Sequence, residues 1–254
     1  MLEAAVRSVD RAPPRSRVTQ PATEKLVQIE SLRLHHFPAT RSARAKWILY
    51  ETVGDAFETV VVDLYRRAQY RPEFLLLNPN HNVPVLEICW ASGETTTMLE
   101  SAAMVTFLAD AFPDKGLAPP ANTLSPARAH YLQMLHFGGS WMDMILWQIR
   151  SHEHLLPRDQ SDMRTIERYR SKFVNEIEPQ LLRRFEIAEF VCGPSFTAAD
   201  CVIGHNVAWA RVYGLCQDEV FGSYMSRLAR REGFRKAFAD AQNFSVSRPA
   251  SENT

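Results

Sequence analysis

The chain has 254 residues, of which 46% are hydrophobic and 23% charged, and its formal net charge at pH 7 is zero. This composition is typical of a globular protein with one large domain or two small ones. The balanced charge argues against a nucleic-acid partner, and the lack of any apolar run of about 18 residues predicts no membrane span.

The cysteines do not predict a metal site. Cys89, Cys192, Cys201 and Cys216 have neither metal-ligand spacing nor a C-x-x-C motif, and we interpret them as reduced thiols of a cytoplasmic protein. His36 likewise has no partner at metal-ligand spacing, so it is expected at the surface or hydrogen-bonded in the core.

Residues 1–31 are expected to form a flexible N-terminal extension. Arginines alternate there with prolines, and no apolar period is sustained. The apolar segment of a secretory signal is missing. The alternative interpretation is an arm that packs on a partner subunit.

Residues 32–113 carry alternating strand and helix signals. Residues 32–37 alternate as a strand, and the helix that follows is expected to be capped by Ser42 or a neighbour and to end at Gly54. The β-branched and aromatic residues at 57–62 predict a second strand. Strand, helix and strand in this order predict a parallel βαβ unit with a right-handed crossover.

A hairpin and a helix complete this first domain. Residues 84–87 and 96–99 flank Ser92-Gly93 and predict two antiparallel strands. A helix is expected over residues 101–112. The order βαβ then ββα is that of a thioredoxin-like fold.

The second half of the chain is predicted to be all-helical, so the fold class is α/β plus all-α. A linker over residues 114–124 leads to a helical domain over 125–245 and a tail over 246–254. Thr197 and Asp200 have the spacing of a capping box, and we interpret Asp200 as a folding residue at a helix start.

Two motifs resemble those of the cytosolic glutathione S-transferase family. Val83-Pro84 precedes the third strand, and Glu100-Ser101 precedes the last helix of the first domain. In that family the Val-Pro peptide is cis and the valine backbone pairs with the cysteinyl part of glutathione, while the acid and the serine hold the γ-glutamyl group. The resemblance implies that glutathione is the cosubstrate and that Asn82, Val83, Pro84, Glu100 and Ser101 bind it.

The resemblance also implies that the glutathione thiol points to the loop after the first strand. A free thiol has a pKa of about 8.5, and a hydroxyl that donates to sulfur beside a helix N-terminus favours the thiolate. Ser42 is slightly preferred for this catalytic role because it is nearest the helix start, with Thr40 almost equal, and either one could instead be a cap. No cysteine or tyrosine lies between Leu34 and Lys46, which disfavours thiol–disulfide chemistry.

A second substrate is expected between the two domains. Phe37, Phe137, Trp141 and Ile145 are the expected lining of a pocket for a small hydrophobic electrophile, such as an aryl ether or halide. For Trp141 and Ile145 a core position is an equal alternative. Within the family the chain resembles bacterial Ser/Thr-type enzymes, including the β-aryl etherases.

The family resemblance implies a homodimer that acts in detoxification or the catabolism of aromatic compounds. One alternative is a non-catalytic binding or regulatory module with the same fold, and another is a glutathione-dependent peroxidase or reductase. The presence of Glu100-Ser101 together with two hydroxyls favours the transferase.

Overall fold

The computed structural model describes residues 28–244. The first domain is built on a four-stranded mixed sheet in the order β2-β1-β3-β4. The strands are β1 (Ile29–His36), β2 (Glu58–Val61), β3 (Val85–Trp90) and β4 (Thr95–Met98). Strand β1 runs parallel to β2 and antiparallel to β3, and β3 pairs antiparallel with β4, which confirms the predicted order.

Strand β1 starts earlier than predicted. It begins at Ile29, so residues 29–31 belong to the strand rather than to the extension. The rest of the predicted extension and the predicted tail lie outside the described residues. Between residues 28 and 244 no helix has the length and apolar character that crossing a membrane requires, and that range contains no cluster of three or more potential metal ligands.

Three helices cover the sheet. They are α1 (Ser42–Val53), α2 (Pro72–Leu77) and α3 (Ser101–Ala111). Leu32 and Leu34 are separated by an exposed residue and share one core with Trp47 of α1 and Met104 of α3. This follows from the alternation of strand side chains between the two faces of a sheet.

The second domain contains two long helices interrupted by π turns. The first comprises α4 (Pro126–His136), a π turn (Phe137–Met142) and α5 (Asp143–Arg150), and the second comprises α6 (Met163–Lys172), a π turn (Phe173–Ile177) and α7 (Glu178–Phe185). Pro179 stands at the start of α7. Because proline has no N–H to continue the regular ladder, the wider turn before it relieves the clash.

Gly138 lies in the first π turn, where α8 (Ala198–Val212) passes closely. A Cβ atom at this position would stand 2.7 Å from Val202 Cγ1 and 2.9 Å from Ile203 Cδ1. Both distances are shorter than packed carbon atoms tolerate. The glycine therefore permits the first long helix to pack directly on α8.

The capping box predicted at the start of α8 is confirmed. Asp200 is fully buried, and its carboxylate accepts hydrogen bonds from the Thr197 and Val191 N–H groups at 2.9 Å and from the Tyr224 hydroxyl at 2.8 Å. Burial raises the pKa of Asp200, and the hydrogen bonds act in the opposite direction. One carboxylate thus joins α8 to the preceding loop and to α9 (Glu219–Ala229).

The last helices return the chain to the first domain. Helix α10 (Glu232–Ala237) packs on α1, and in the following segment Asp240 Oδ2 lies 2.7 Å from Lys46 Nζ. A single hydrophobic core contains Leu34 of β1 and Leu146 of α5. The two domains therefore share one core.

Candidate active site

The loop between β1 and α1 carries both predicted hydroxyls. Thr40 is half-buried, whereas Ser42 is fully buried. Ala39 has a φ of 53°, which turns the chain at the end of the strand. Ser42 is the first helical residue rather than the cap, and Arg41 occupies the N-cap position without a side-chain cap bond. The neighbouring Thr40 Oγ1 accepts a 3.4 Å hydrogen bond from the Ser42 N–H.

Ser42 Oγ is surrounded by hydrogen-bonding partners. It accepts a hydrogen bond from the Phe37 N–H at 3.1 Å and lies 2.9 Å from the Phe37 carbonyl oxygen, 2.8 Å from Thr40 Oγ1 and 2.7 Å from His36 Nδ1. Thr40 Oγ1 also lies 2.8 Å from the Phe37 carbonyl oxygen, so its single proton can be donated either to that carbonyl or to Ser42 Oγ. Because Ser42 is closed to solvent, Thr40 is the hydroxyl of this pair that a ligand can reach.

The Val83–Pro84 peptide lies directly beside this loop and is cis. Asn78 is fully buried and holds the preceding turn, since its Nδ2 donates to the carbonyl and side-chain oxygens of Asn82, both at 2.8 Å. Val83 shares a small hydrophobic cluster with Phe37. The start of β3 and the hydroxyl-bearing loop are thus adjacent.

Glu100 and Ser101 lie where β4 passes into α3. Glu100 is exposed, occupies the N-cap position and has a φ of 69°, a conformation that is uncommon for non-glycine residues and clusters at functional sites. Ser101 Oγ accepts a 3.3 Å hydrogen bond from Arg44 Nη1. Glu100 also acts electrostatically on Arg41, so the N-terminal ends of α1 and α3 converge.

Arg44 is a fully buried cation behind the site. It bonds to the two carboxylate oxygens of Asp143 at 2.8 and 2.5 Å and to Asn206 Oδ1. Its Nε donates to His205 Nδ1 at 3.2 Å, and burial together with this cation lowers the pKa of His205 to about 3. Because Asp143 belongs to α5 and the other two residues to α8, the network fixes the two domains against each other.

The expected lining of the second-substrate pocket is only partly open. Ile145 is fully buried in the core, which is the alternative left open for it, and Phe37 is 5% exposed with its ring against Tyr65, so little of that ring is open to a ligand. Phe137 is half-buried. Trp141 is 38% exposed, but its ring lies 4.7 Å from Lys172 Nζ.

A group of aromatic and cationic side chains also lies at the domain boundary. Trp147 is 41% exposed, and the Arg41 guanidinium carbon lies 5.3 Å from its ring centroid. Arg150 lies 5.0 Å from the ring of Phe244, which packs on the cluster containing Phe37. Sequence reasoning missed Arg150 and Phe244, and for Phe244 no local signal exists because its contacts are distant in the chain.

His36 and Asp240 form a second feature that sequence reasoning missed. His36 is fully buried, and its Nε2 lies 3.2 Å from Asp240 Oδ2. Burial lowers the pKa of His36, and Asp240 acts in the opposite direction. Burial would raise the pKa of Asp240, but hydrogen bonds from His36 and Lys46 outweigh it and lower this pKa to about 2.

The sequence and the fold are both similar to those of known proteins. Residues 30–110 match the family model "Glutathione S-transferase, N-terminal domain". The chain is 26% identical over 214 residues to "Glutathione S-transferase GstA" of Escherichia coli O157:H7, covering 82% of this chain and 98% of that protein. It is 27% identical over 179 residues to "Disulfide-bond oxidoreductase YfcG" of Escherichia coli K12, covering 69% and 80%.

A solved structure of a sphingomonad glutathione S-transferase complexed with glutathione is similar as well. Its identity to this chain is 25%, the TM-score is 0.68, and the match covers 83% of this chain and 98% of that one. The agreement includes both the first domain and the helical domain. Residues 30–110 therefore match the N-terminal domain of glutathione S-transferases, and the chain as a whole is similar in sequence and fold to members of that family.

Proposed function

We propose that this protein is a glutathione transferase that holds the glutathione thiol at Thr40. The observation that carries the proposal is the convergence of an accessible hydroxyl at the N-terminus of α1 with the cis Val83–Pro84 peptide and with Glu100 at the start of α3. Similarity to a glutathione S-transferase complexed with glutathione supports it.

The free energy needed to activate the glutathione thiol is modest. A free thiol with a pKa of about 8.5 is mostly protonated at neutral pH, and lowering that pKa by about two units takes roughly 2.7 kcal/mol. One charge-assisted hydrogen bond from Thr40 and the field at the N-terminus of α1 supply energy of that order. The complete burial of Ser42 supports assigning the sulfur contact to Thr40 rather than to Ser42.

The rest of glutathione is assigned to the edge of the first domain. The Val83 backbone pairs with the cysteinyl part, with Pro84 and Asn82 beside it. The Glu100 carboxylate accepts hydrogen bonds from the ammonium of the γ-glutamyl group. Ser101 and the free N–H groups at the start of α3 bind its carboxylate.

The electrophile is assigned to the domain boundary. The exposed ring of Trp147 and the ring of Phe244 offer apolar surface, and Arg41 and Arg150 lie over these rings. This combination suits an aromatic molecule with a polar, electron-withdrawing substituent. An aryl halide or a β-aryl ether is such a molecule, since attack by the thiolate on carbon releases halide or phenolate.

The test compares two substitutions at Thr40. Thr40→Val removes the hydroxyl at nearly constant shape, and Thr40→Ser keeps it. With glutathione and chlorodinitrobenzene we expect Thr40→Val to reduce kcat/KM at neutral pH by about tenfold or more, as the apparent thiol pKa rises by about one unit or more. Thr40→Ser should stay within about threefold of the wild type, and equal rates for the wild type and the valine variant would contradict the assignment.

A second candidate function is glutathione-dependent disulfide reduction, which the similarity to a disulfide-bond oxidoreductase favours. Cys201 and Cys216 are buried, Cys89 and Cys192 are partly exposed, and none of the four lies in the loop that carries Thr40, so glutathione itself would supply the reacting thiol. Assays with a mixed glutathione disulfide and with an aryl ether separate the candidates by relative kcat/KM. Glutathione binding without turnover of any of these substrates would favour the non-catalytic module.

We infer that the protein works as a homodimer. In the family the first domain of one subunit pairs with the second domain of the other around a two-fold axis, which gives a closed assembly. Sedimentation equilibrium measures the assembly directly, and a mass of one chain at micromolar concentration would contradict the inference.

A further inference from the structure

An unbroken chain of hydrogen bonds connects Thr40 with the segment that follows α10. Thr40 Oγ1 lies 2.8 Å from Ser42 Oγ, Ser42 Oγ lies 2.7 Å from His36 Nδ1, and His36 Nε2 lies 3.2 Å from Asp240 Oδ2. Ser42 and His36 have no solvent exposure. Only the two ends of the chain, Thr40 and Asp240, are partly accessible.

Every link of this chain can be satisfied in two protonation states. In the first state His36 is neutral, Nε2–H donates to Asp240, the Ser42 hydroxyl donates to Nδ1, and the Thr40 hydroxyl donates to Ser42. In the second state His36 is an imidazolium, Nδ1–H donates to Ser42, and Ser42 donates to Thr40. In both states Ser42 Oγ accepts two hydrogen bonds, one of them from the Phe37 N–H, and donates one, which is its full capacity.

The two states differ in what Thr40 presents to a ligand. In the first state the proton of Thr40 is directed to Ser42, so a lone pair of Thr40 Oγ1 is free to accept a proton. In the second state Thr40 is itself free to donate. A thiol fits the first state and a thiolate fits the second.

Two charged groups act on the imidazole from the elements packed against it. Asp240, from the segment after α10, favours the imidazolium, and Lys46, from α1, disfavours it while bonding to Asp240 at 2.7 Å. Burial also disfavours the charged form, so the pKa of His36 lies below its usual value. The imidazole is therefore neutral at physiological pH and available to accept a proton.

We propose that Thr40, Ser42, His36 and Asp240 form a relay that removes the proton from bound glutathione, an inference that rests on the proposed function. The S–H bond breaks as Thr40 Oγ1 takes the proton, Thr40 passes its own proton to Ser42, and Ser42 passes its own proton to His36 Nδ1. The products are a thiolate and an imidazolium within a complex of unchanged total charge. Once the thiolate has been consumed, the proton returns along the same chain to the leaving group or to water.

In this relay His36 and Asp240 are positioning residues, because they act on glutathione through the two hydroxyls. The arrangement follows the same logic as a serine, histidine and aspartate triad, in which the carboxylate orients the imidazole and stabilises its charged form. The difference is that the two hydroxyls transmit protons while glutathione is the nucleophile.

The test measures the thiolate of bound glutathione by its ultraviolet absorbance across pH, together with kcat and the glutathione Kd. We expect Asp240→Asn to raise the apparent thiol pKa by about one unit, which lowers the thiolate fraction and kcat up to about tenfold at pH values below that pKa, while Kd measured at those pH values changes less than about twofold. Asp240→Glu should recover most of the loss. Asp55→Asn is the matched control, because it breaks an aspartate–lysine pair of the same length, 2.7 Å to Lys236, at a residue that is not part of the relay.

A double-substitution cycle distinguishes the relay from an independent effect of Asp240. In a Ser42→Ala background the relay is interrupted, so adding Asp240→Asn should change the thiol pKa no further. Equal effects of Asp240→Asn in the wild-type and Ser42→Ala backgrounds would overturn the relay. If the wild type neither binds nor turns over glutathione, the proposed function fails first.

A further variant distinguishes an effect on the relay from damage to the fold. Lys46→Met removes the cation that opposes the imidazolium, so it should raise the thiolate fraction at neutral pH. Damage to the fold would lower that fraction instead. An unchanged or lower fraction in correctly folded Lys46→Met protein would contradict the relay.

Discussion

Arg44 has its whole charged side chain out of contact with water. Its guanidinium is compensated by the Asp143 carboxylate, with Asn206, His205 and Ser101 as further hydrogen-bond partners. Removing one member of a buried ion pair costs far more free energy than the pair contributes, because the other charge is left without compensation. Substitution of Arg44 or of Asp143 is therefore expected to weaken the joint between the two domains.

We expect Asp143→Ala to lower the free energy of unfolding by about 3–5 kcal/mol, measured by urea denaturation. Glu176→Gln is the control, because it breaks the exposed Lys172–Glu176 pair, which contributes at most about 1 kcal/mol. Equal losses of unfolding free energy in the two variants would contradict this expectation. They would indicate that the Arg44 guanidinium becomes hydrated once Asp143 is removed.

The lowered pKa of Asp240 makes the stability of the fold depend on pH. Its folded-state pKa of about 2 lies below the value of about 3.9 for an unfolded aspartate. The stabilisation from Asp240 is therefore fully present above about pH 4 and is lost as pH falls towards 2. The difference in unfolding free energy between the wild type and Asp240→Asn should be largest near neutral pH and shrink below about pH 4. A difference that grows as pH falls through this range would contradict the assignment.

At the scale of elements, the start of α8 depends on more than its local capping box. The box alone predicts a cost of about 1 kcal/mol for losing Asp200. The same carboxylate also accepts hydrogen bonds from the Val191 N–H and the Tyr224 hydroxyl, which would both be left buried without a partner. Each such group costs about 1–3 kcal/mol.

We therefore expect Asp200→Ala to reduce the free energy of unfolding by clearly more than Asp218→Ala. Asp218 is an exposed N-cap whose side chain accepts from the Val220 N–H, and its loss should cost about 1 kcal/mol. Both variants should bind glutathione with wild-type affinity at a temperature where they are folded. Abolished binding in folded Asp200→Ala protein would show that Asp200 belongs to the site.

At the scale of the whole molecule, the contacts that were predictable are those between near neighbours in the chain. The Val83-Pro84 strand start and the Thr197–Asp200 box each lie within a few residues, so residue type and spacing were sufficient to predict them. Asp143 is 99 residues from Arg44 and Asp240 is 204 residues from His36. Such pairs depend on how the helices dock, which periodicity alone does not determine.

The preference for Ser42 over Thr40 illustrates the same limit. Its place nearest the helix start favoured Ser42, but Ser42 is fully buried and hydrogen-bonded to His36 and Phe37, which spacing along the chain does not reveal. Ile145 is similar, because its position on a helix is predictable while its complete burial depends on the packing of other helices.

The shared core predicts that the two domains unfold together. Leu34 and Leu146 belong to one continuous cluster, so neither domain can lose its packing without exposing apolar surface of the other. We expect far-ultraviolet circular dichroism and tryptophan fluorescence to report coincident urea transitions, both in the wild type and in a variant in which Trp141, Trp147 and Trp209 are replaced by phenylalanine, so that Trp47 and Trp90 of the first domain remain. Separate midpoints would show that the domains are independent.

The return of the chain from α10 to β1 also matters for synthesis. The first domain leaves the ribosome well before Asp240 has been added, and domains fold in the order in which they emerge. In a nascent or prematurely terminated chain, Thr40, Ser42 and His36 would lack the Asp240 carboxylate that stabilises the imidazolium. Activation of the glutathione thiol would then be incomplete until translation has passed residue 240, so a residue near the C-terminal end of the polypeptide completes a site near its N-terminal end.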